Sequence, residues 1–151
     1  MSEPLAPRHP DARVAQLVGL YESLAPADLP ALRGVYADDA SFKDPFNAVQ
    51  GVAAIARIFG HMFRTLDNPR FQVLQIVADA DHVFLTWDFH FRRRGQHGVP
   101  MCIHGASHVR FNARGQVAMH RDYWDAADEL YAKLPLLGAV MRWLKRRLGS
   151  A

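Results

Sequence analysis

Asp44 is the residue of this chain best placed to do chemistry. It ends a short segment suited to burial within the run Tyr36-Ala37-Asp38-Asp39-Ala40-Ser41-Phe42-Lys43-Asp44-Pro45-Phe46. In a buried setting low dielectric disfavours the charged carboxylate and makes it a stronger base. A base of that kind removes protons near neutral pH. The same residues support a plainer role, because Asp-Pro is a turn signal and Asp44 can simply cap the turn before Pro45. Local sequence leaves both uses open.

The elements that must position Asp44 are legible in the periodicity around it. From Asp11, a suitable N-cap, Val14, Leu17, Val18, Tyr21 and Leu24 share one helical face. Pro26 stops that helix. Asp28 is suited to cap a second, with Pro30 tolerated in its first turn and Leu32, Val35 and Tyr36 on its buried stripe. A short strand over 41–46 follows. A helix then opens at Gly51, with Ile55, Ile58, Phe59, Met62, Phe63 and Leu66 on its apolar face and Pro69 as its stop.

From Phe71 the period changes to two, and 71–78, 83–91, 101–112 and 116–124 read as strands. Val83, Leu85, Trp87, Phe89 and Phe91 are apolar, while Thr86, Asp88 and His90 between them are polar. One face is therefore core and the other at least partly polar. Helices followed by antiparallel strands predict an α+β domain, with three N-terminal helices in the concave face of a strongly curved sheet. Residues 1–10 are read as a disordered leader, 11–126 as the domain and 127–151 as an amphipathic basic helical tail.

Half of the 151 residues are apolar and 22% are charged, which suits one globular domain. A single cysteine, Cys102, excludes an internal disulfide and makes a reducing, cytoplasmic setting the expectation. The N-terminus lacks the apolar centre of a signal peptide, and no stretch is long enough to span a bilayer. The net charge of +3 gathers in Arg92-Arg93-Arg94 and in the tail from Arg142 to Arg147. No nucleic-acid motif accompanies it, so no nucleic-acid partner is expected. In the tail Leu136, Leu137, Val140, Met141, Leu144 and Leu148 form an apolar helical face. The expected use of that face is to cover the open mouth of the sheet, and the alternative is contact with an anionic membrane surface, aided by Trp143.

The order of elements resembles the nuclear transport factor 2-like superfamily, in its ketosteroid isomerase and SnoaL-like polyketide cyclase branches. The segments that carry the resemblance are Tyr36-Ala37-Asp38-Asp39-Ala40, Asp44-Pro45-Phe46, the Gly51 helix start, Val109-Arg110-Phe111 before Gly115, and Tyr123-Trp124. It implies a cone-shaped fold around an apolar cavity, with Asp44 as general base. It places Tyr21 near an oxyanion-hole tyrosine and Ser107 where the steroid isomerases carry a protonated aspartate, a departure from their pattern. The same alignment turns Ala118, His120, Asp122 and Trp124 inward, and SnoaL-like enzymes use a histidine and an aspartate there as acid and base. In the other register His120 and Asp122 face solvent beside Arg121, because Val117 and Met119 are also good core residues.

The expected apolar lining is Phe59, Phe63, Trp87, Phe89 and Trp124. His90, His104 and His108 fall on the opposite face with Cys102 and Ala106, which in many relatives is a dimer interface, so a homodimer is expected. These histidines lack a ligand quartet at a sensible spacing, and the superfamily's proton-transfer enzymes need no metal, so neither metal nor other cofactor is expected. The expected function is proton transfer on a small apolar carbonyl compound, of isomerase, cyclase or dehydratase type. A non-catalytic binder of an apolar ligand, or a dimeric interaction module with a basic tail, are the alternatives.

Overall fold

The computed structural model describes residues 8–95, 98–130 and 135–149. Asp11 accepts a hydrogen bond from the Arg13 amide at 2.9 Å and so caps the first helix, α1 (Ala12–Ser23). The α1 stripe of Val14, Leu17, Val18 and Tyr21 is buried. Residues 1–7 of the expected leader lie outside the described residues. Arg8 does not behave as leader: it pairs with Glu22 at 2.7 Å and donates to the Val73 carbonyl at 2.9 Å.

After α1 the chain departs from expectation. A 3-10 helix over Pro26–Gly34 replaces the α-helix expected to reach Tyr36. Pro26 and Pro30 remove amide donors, and Asp28 reaches back to accept from the Ala25 amide at 2.9 Å. Tyr36 instead opens the first strand, β1 (Tyr36–Lys43), which therefore starts earlier than the predicted segment. A short β2 (Ala48–Gln50) folds back on it with Phe42 opposite Val49, making Asp44 to Asn47 a hairpin turn. Gly51 sits at φ 97°, a conformation open to glycine, and donates to the Ala40 carbonyl at 2.8 Å as α2 (Val52–Thr65) begins.

Helix α2 ends at Thr65, short of Pro69, and β3 (Leu66–Asp79) runs straight on. Pro69 is accommodated in a register gap between the pairs Asp67–Arg92 and Arg70–His90, on an edge strand where a missing N–H costs little. Then come β4 (His82–Arg93), β5 (Pro100–Phe111) and β6 (Val117–Tyr123), each antiparallel to its predecessor. β6 also pairs parallel with β1, giving the order β2-β1-β6-β5-β4-β3. This is the expected α+β architecture, a curved open sheet with helices. Val83, Leu85, Trp87, Ile103, Val109 and Phe111 meet α1 and α2 in one core. Burying a side chain of that size contributes about 1.5–3 kcal/mol, so mutual coverage of sheet and helices is what closes the domain.

The tail forms α3 (Ala126–Glu129), capped by Asp125, and α4 (Pro135–Leu148). The apolar face of α4 does not close the mouth of the sheet as expected. Leu136 is 87% exposed and Leu148 82%. The helix is instead tied to α3 by the exposed ion pair of Lys145 with Asp128. No helix among the described residues is long and apolar enough to cross a membrane.

Candidate active site

Register on β6 decides which residues meet. His120 lies opposite Val109 and Asp122 opposite Ser107, so both point to the concave side, while Arg121 is exposed on the outer face. His120 is 3% exposed and the Asp122 side chain 16%. The β1–β6 pairing sets Phe42 beside His120, with ring centroids 5.0 Å apart.

A connected chain of hydrogen bonds runs through the concave face. Trp87 Nε1 donates to Ser107 Oγ at 2.8 Å, and Ser107 Oγ donates to Asp122 Oδ1 at 2.6 Å. His120 Nε2 is 2.7 Å from the same Oδ1. His120 Nδ1 is 2.6 Å from the Tyr36 hydroxyl and 3.1 Å from that of Tyr21, and the two hydroxyls also bond each other. Burial, above all, pushes the Tyr36 and Tyr21 phenols well above their ordinary range, and for Tyr21 the proximity of Tyr36 and Asp122 adds to it. Both stay protonated donors. One assignment satisfies the whole chain with a neutral imidazole: Nε2–H donates to Asp122, and Nδ1 accepts from tyrosine.

Everything in the chain therefore converges on Asp122 Oδ1. Among the described residues nothing bonds Oδ2, and Asp122 lines a cavity of about 330 Å³. Phe59, Trp87, Phe89 and Trp124 also line it. Phe63 does not, because it lies roughly 40° past Phe59 around α2, turned away from the wall-forming Ile58 and Met62. Behind this cavity, sharing Phe59, Phe71, Trp87 and Asp122 as walls, is a chamber of about 20 Å³ that also touches Tyr21, Ser107 and His120. That is room for one oxygen-sized group.

Asp44 is not at the cavity floor, and its expected burial is corrected. It stands half-buried at the rim, in the β1–β2 turn. Its Oδ1 accepts from the Phe46 amide at 2.8 Å and the Asn47 amide at 2.6 Å, and the Asn47 side chain donates to both carboxylate oxygens at 3.1 Å. The hairpin geometry explains this, since an Asp at the first turn position bonds the amides two and three residues on. Tyr36 is the site member that sequence reasoning missed. Its position in the motif was legible, but its assignment to a helix hid the fact that a strand delivers its hydroxyl to His120.

On the outer face, Asp88, His90 and Cys102 bring ligand atoms within 4.8 Å of one another. Cross-strand pairing of His90 with Cys102 assembles them, a juxtaposition the linear spacing conceals. Three donors fall short of the four that close a structural zinc site.

Helices packed on a curved open sheet are the arrangement of the nuclear transport factor 2-like fold. The SnoaL-like domain matches residues 17–120, and the chain belongs to that family. Similar solved structures include a hypothetical protein with a ketosteroid isomerase-like fold from Catenulispora acidiphila, in complex with trimethylamine. It has a TM-score of 0.68 and 16% identity, covering 80% of this chain and 90% of that one. A protein of Jannaschia sp. CCS1, described as a SnoaL-like polyketide cyclase, gives 0.66 and 15%, over 75% and 85%. A nuclear transport factor 2-like protein of unknown function from Burkholderia pseudomallei gives 0.66 and 12%, over 91% and 98%. No curated protein matches the sequence.

Proposed function

We propose that this protein is a cofactor-independent proton-transfer enzyme of isomerase, cyclase or dehydratase type, acting on a small apolar carbonyl compound. The observation that carries this reading is the Asp122 carboxylate, fixed through Oδ1 by His120 and Ser107 in the wall of an apolar cavity. A volume of 330 Å³ lies at the small end for ligand sites. The substrate carbonyl oxygen enters the inner chamber beside Tyr21 and Ser107, where a hydroxyl turns from its present acceptor to meet developing negative charge. The adjacent carbon stands in the wider cavity, and Asp122 Oδ2 takes its proton. His120 steadies the carboxylate in both states and, through Tyr36 and Tyr21, holds its own tautomer. Asp44, at the rim of the same cavity, is the second carboxylate able to return a proton at a distant carbon.

One positioned acid–base group contributes about two to four powers of ten in rate. In a screen of small cyclic ketones and polyketide-like carbonyl compounds for exchange of a carbon-bound proton with solvent deuterium, Asp122→Asn therefore loses at least about a hundredfold. Asp44→Asn loses less. Exchange by Asp122→Asn at the parental rate removes Asp122 from the base role. A second reading, a binder of an apolar ligand without chemistry, is favoured by the way the inner hydroxyls and imidazole are already bonded to one another. Tight binding of these compounds with no exchange in any of them selects it.

A further inference from the structure

In α4 the less exposed residues are Gly138, Met141 and Leu144, and much of the apolar side faces out. At 3.6 residues per turn, Leu136, Leu137, Val140, Trp143 and Leu144 share one side, while Lys145 and Arg146 fall on the other. Lys145 is paired with Asp128 of α3, and Gly138, on the Lys145 side, is buried. The opposite face is open, with Leu136 87%, Val140 49% and Trp143 49% exposed. Arg147 lies within that face, between Leu136 and Val140, its guanidinium 5.3 Å from the centroid of the Trp143 ring. A long cation beside an indole suits a boundary between apolar chains and water.

An exposed apolar stripe of this size is unfavourable until something covers it. Charge identifies the cover. Residues 135–149 contain Arg142, Lys145, Arg146 and Arg147 and no acidic residue. A partner that takes the leucines and tryptophan into an apolar layer and meets the cations at its surface is an anionic lipid bilayer. We propose that α4 lies in the plane of an anionic phospholipid membrane and anchors the protein there peripherally. Its 14 residues are too few and too charged to span. Leu130, at the end of α3, lines the cavity, so a membrane held by α4 lies near the cavity entrance. The proposal stands on the tail and is independent of the chemistry proposed for Asp122.

The test uses the whole chain with vesicles of phosphatidylcholine alone or mixed with about one third phosphatidylglycerol. The protein should sediment with the anionic vesicles, far less with the neutral ones, and be released by salt. Leu137→Glu with Val140→Glu should weaken binding at least about tenfold. Arg146→Ser and Arg147→Ser should each cost about fivefold, and on anionic vesicles only. Brominated lipid should quench the parent's emission more than that of Trp143→Phe, which reports the helix itself at the acyl boundary. All these side chains are exposed, and an unchanged circular dichroism spectrum checks that each variant is folded. Failure to bind anionic vesicles at millimolar lipid overturns the proposal. So does parental binding by the double glutamate variant. If that variant instead turns an oligomer into a monomer while neither protein binds vesicles, a second copy covers the face and the membrane assignment falls.

Discussion

Asp122 and Asp44 differ in what each carboxylate already bonds. Asp44 gives its oxygens to turn amides, whereas Asp122 gives one oxygen to both His120 and Ser107 and lines the cavity. Ser107→Ala should leave the Trp87 N–H without its acceptor and remove one donor from Asp122, destabilising the fold by about 1–3 kcal/mol in urea denaturation. The tyrosines give a pH signature. In the unfolded chain a phenol ionises near pH 10, but burial holds Tyr21 and Tyr36 protonated well above that. The folded state thus keeps protons that the unfolded state releases. Stability is complete below about pH 10 and declines as pH rises beyond it. Tyr36→Phe should flatten the alkaline decline of Tm, and an unchanged slope would show that its ionisation is not linked to folding. The inward face of His120 and Asp122 could not be read from alternation, because Val117 and Met119 suit a core equally well. Only pairing with β5 and β1 resolves it.

At the scale of elements, the indole of Trp87 lies over Gly105, its cross-strand partner on β5. A Cβ at position 105 would sit 2.7 Å from Cζ2 and 2.9 Å from Cζ3 of that ring. Gly105→Ala must push Trp87 out of place, and with it the bond from Nε1 to Ser107 that begins the chain to Asp122. Overpacking of this kind costs about 1–3 kcal/mol, so a measurable fall in Tm is expected together with a shift in tryptophan emission. A variant as stable as the parent with unaltered fluorescence would mean that the ring has free space to move. Four long strands, α1 and α2 were legible because each has one apolar stripe of unmistakable period. The segment from Pro26 to Tyr36 was not, because Leu32, Val35 and Tyr36 match a helical spacing that two prolines and Gly34 prevent the chain from using. Pro69 misled similarly: it marks a gap in an edge ladder where a helix stop was expected.

The whole molecule has an apolar interior and a mixed exterior, and the sheet's outer face carries exposed apolar residues. Val77 is 63% exposed, Phe84 50% and Tyr123 51%, on β3, β4 and β6 of that face. Phe84 stacks on His108 at 4.4 Å, and His108 in turn bonds His82 at 2.9 Å, so aromatic and polar groups are interleaved as in a partly wet interface. The expected assembly is a homodimer through this face, and Phe84→Glu should yield a monomer in light scattering. Acid should act in the same direction. Burial, followed by the nearness of His82 and Arg110, lowers the affinity of His108 for a proton. Near neutral pH His108 is therefore uncharged, and its contribution to stability is intact above about 6.5. As pH falls below that value the unfolded chain binds the proton first, so the contribution is lost toward lower pH. Protonation sets a new cation between His82, Arg110 and the cross-strand Arg121, on the face two copies would share. Dimer dissociation should therefore strengthen as pH is lowered from about 7.5 to about 4.5, because the lowered proton affinity of His108 puts its protonation below the ordinary histidine value of about 6.5. His108→Gln should remove most of that pH dependence while leaving the dimer at neutral pH. A parent protein that stays dimeric throughout, or is monomeric at both pH values, would place the interface elsewhere.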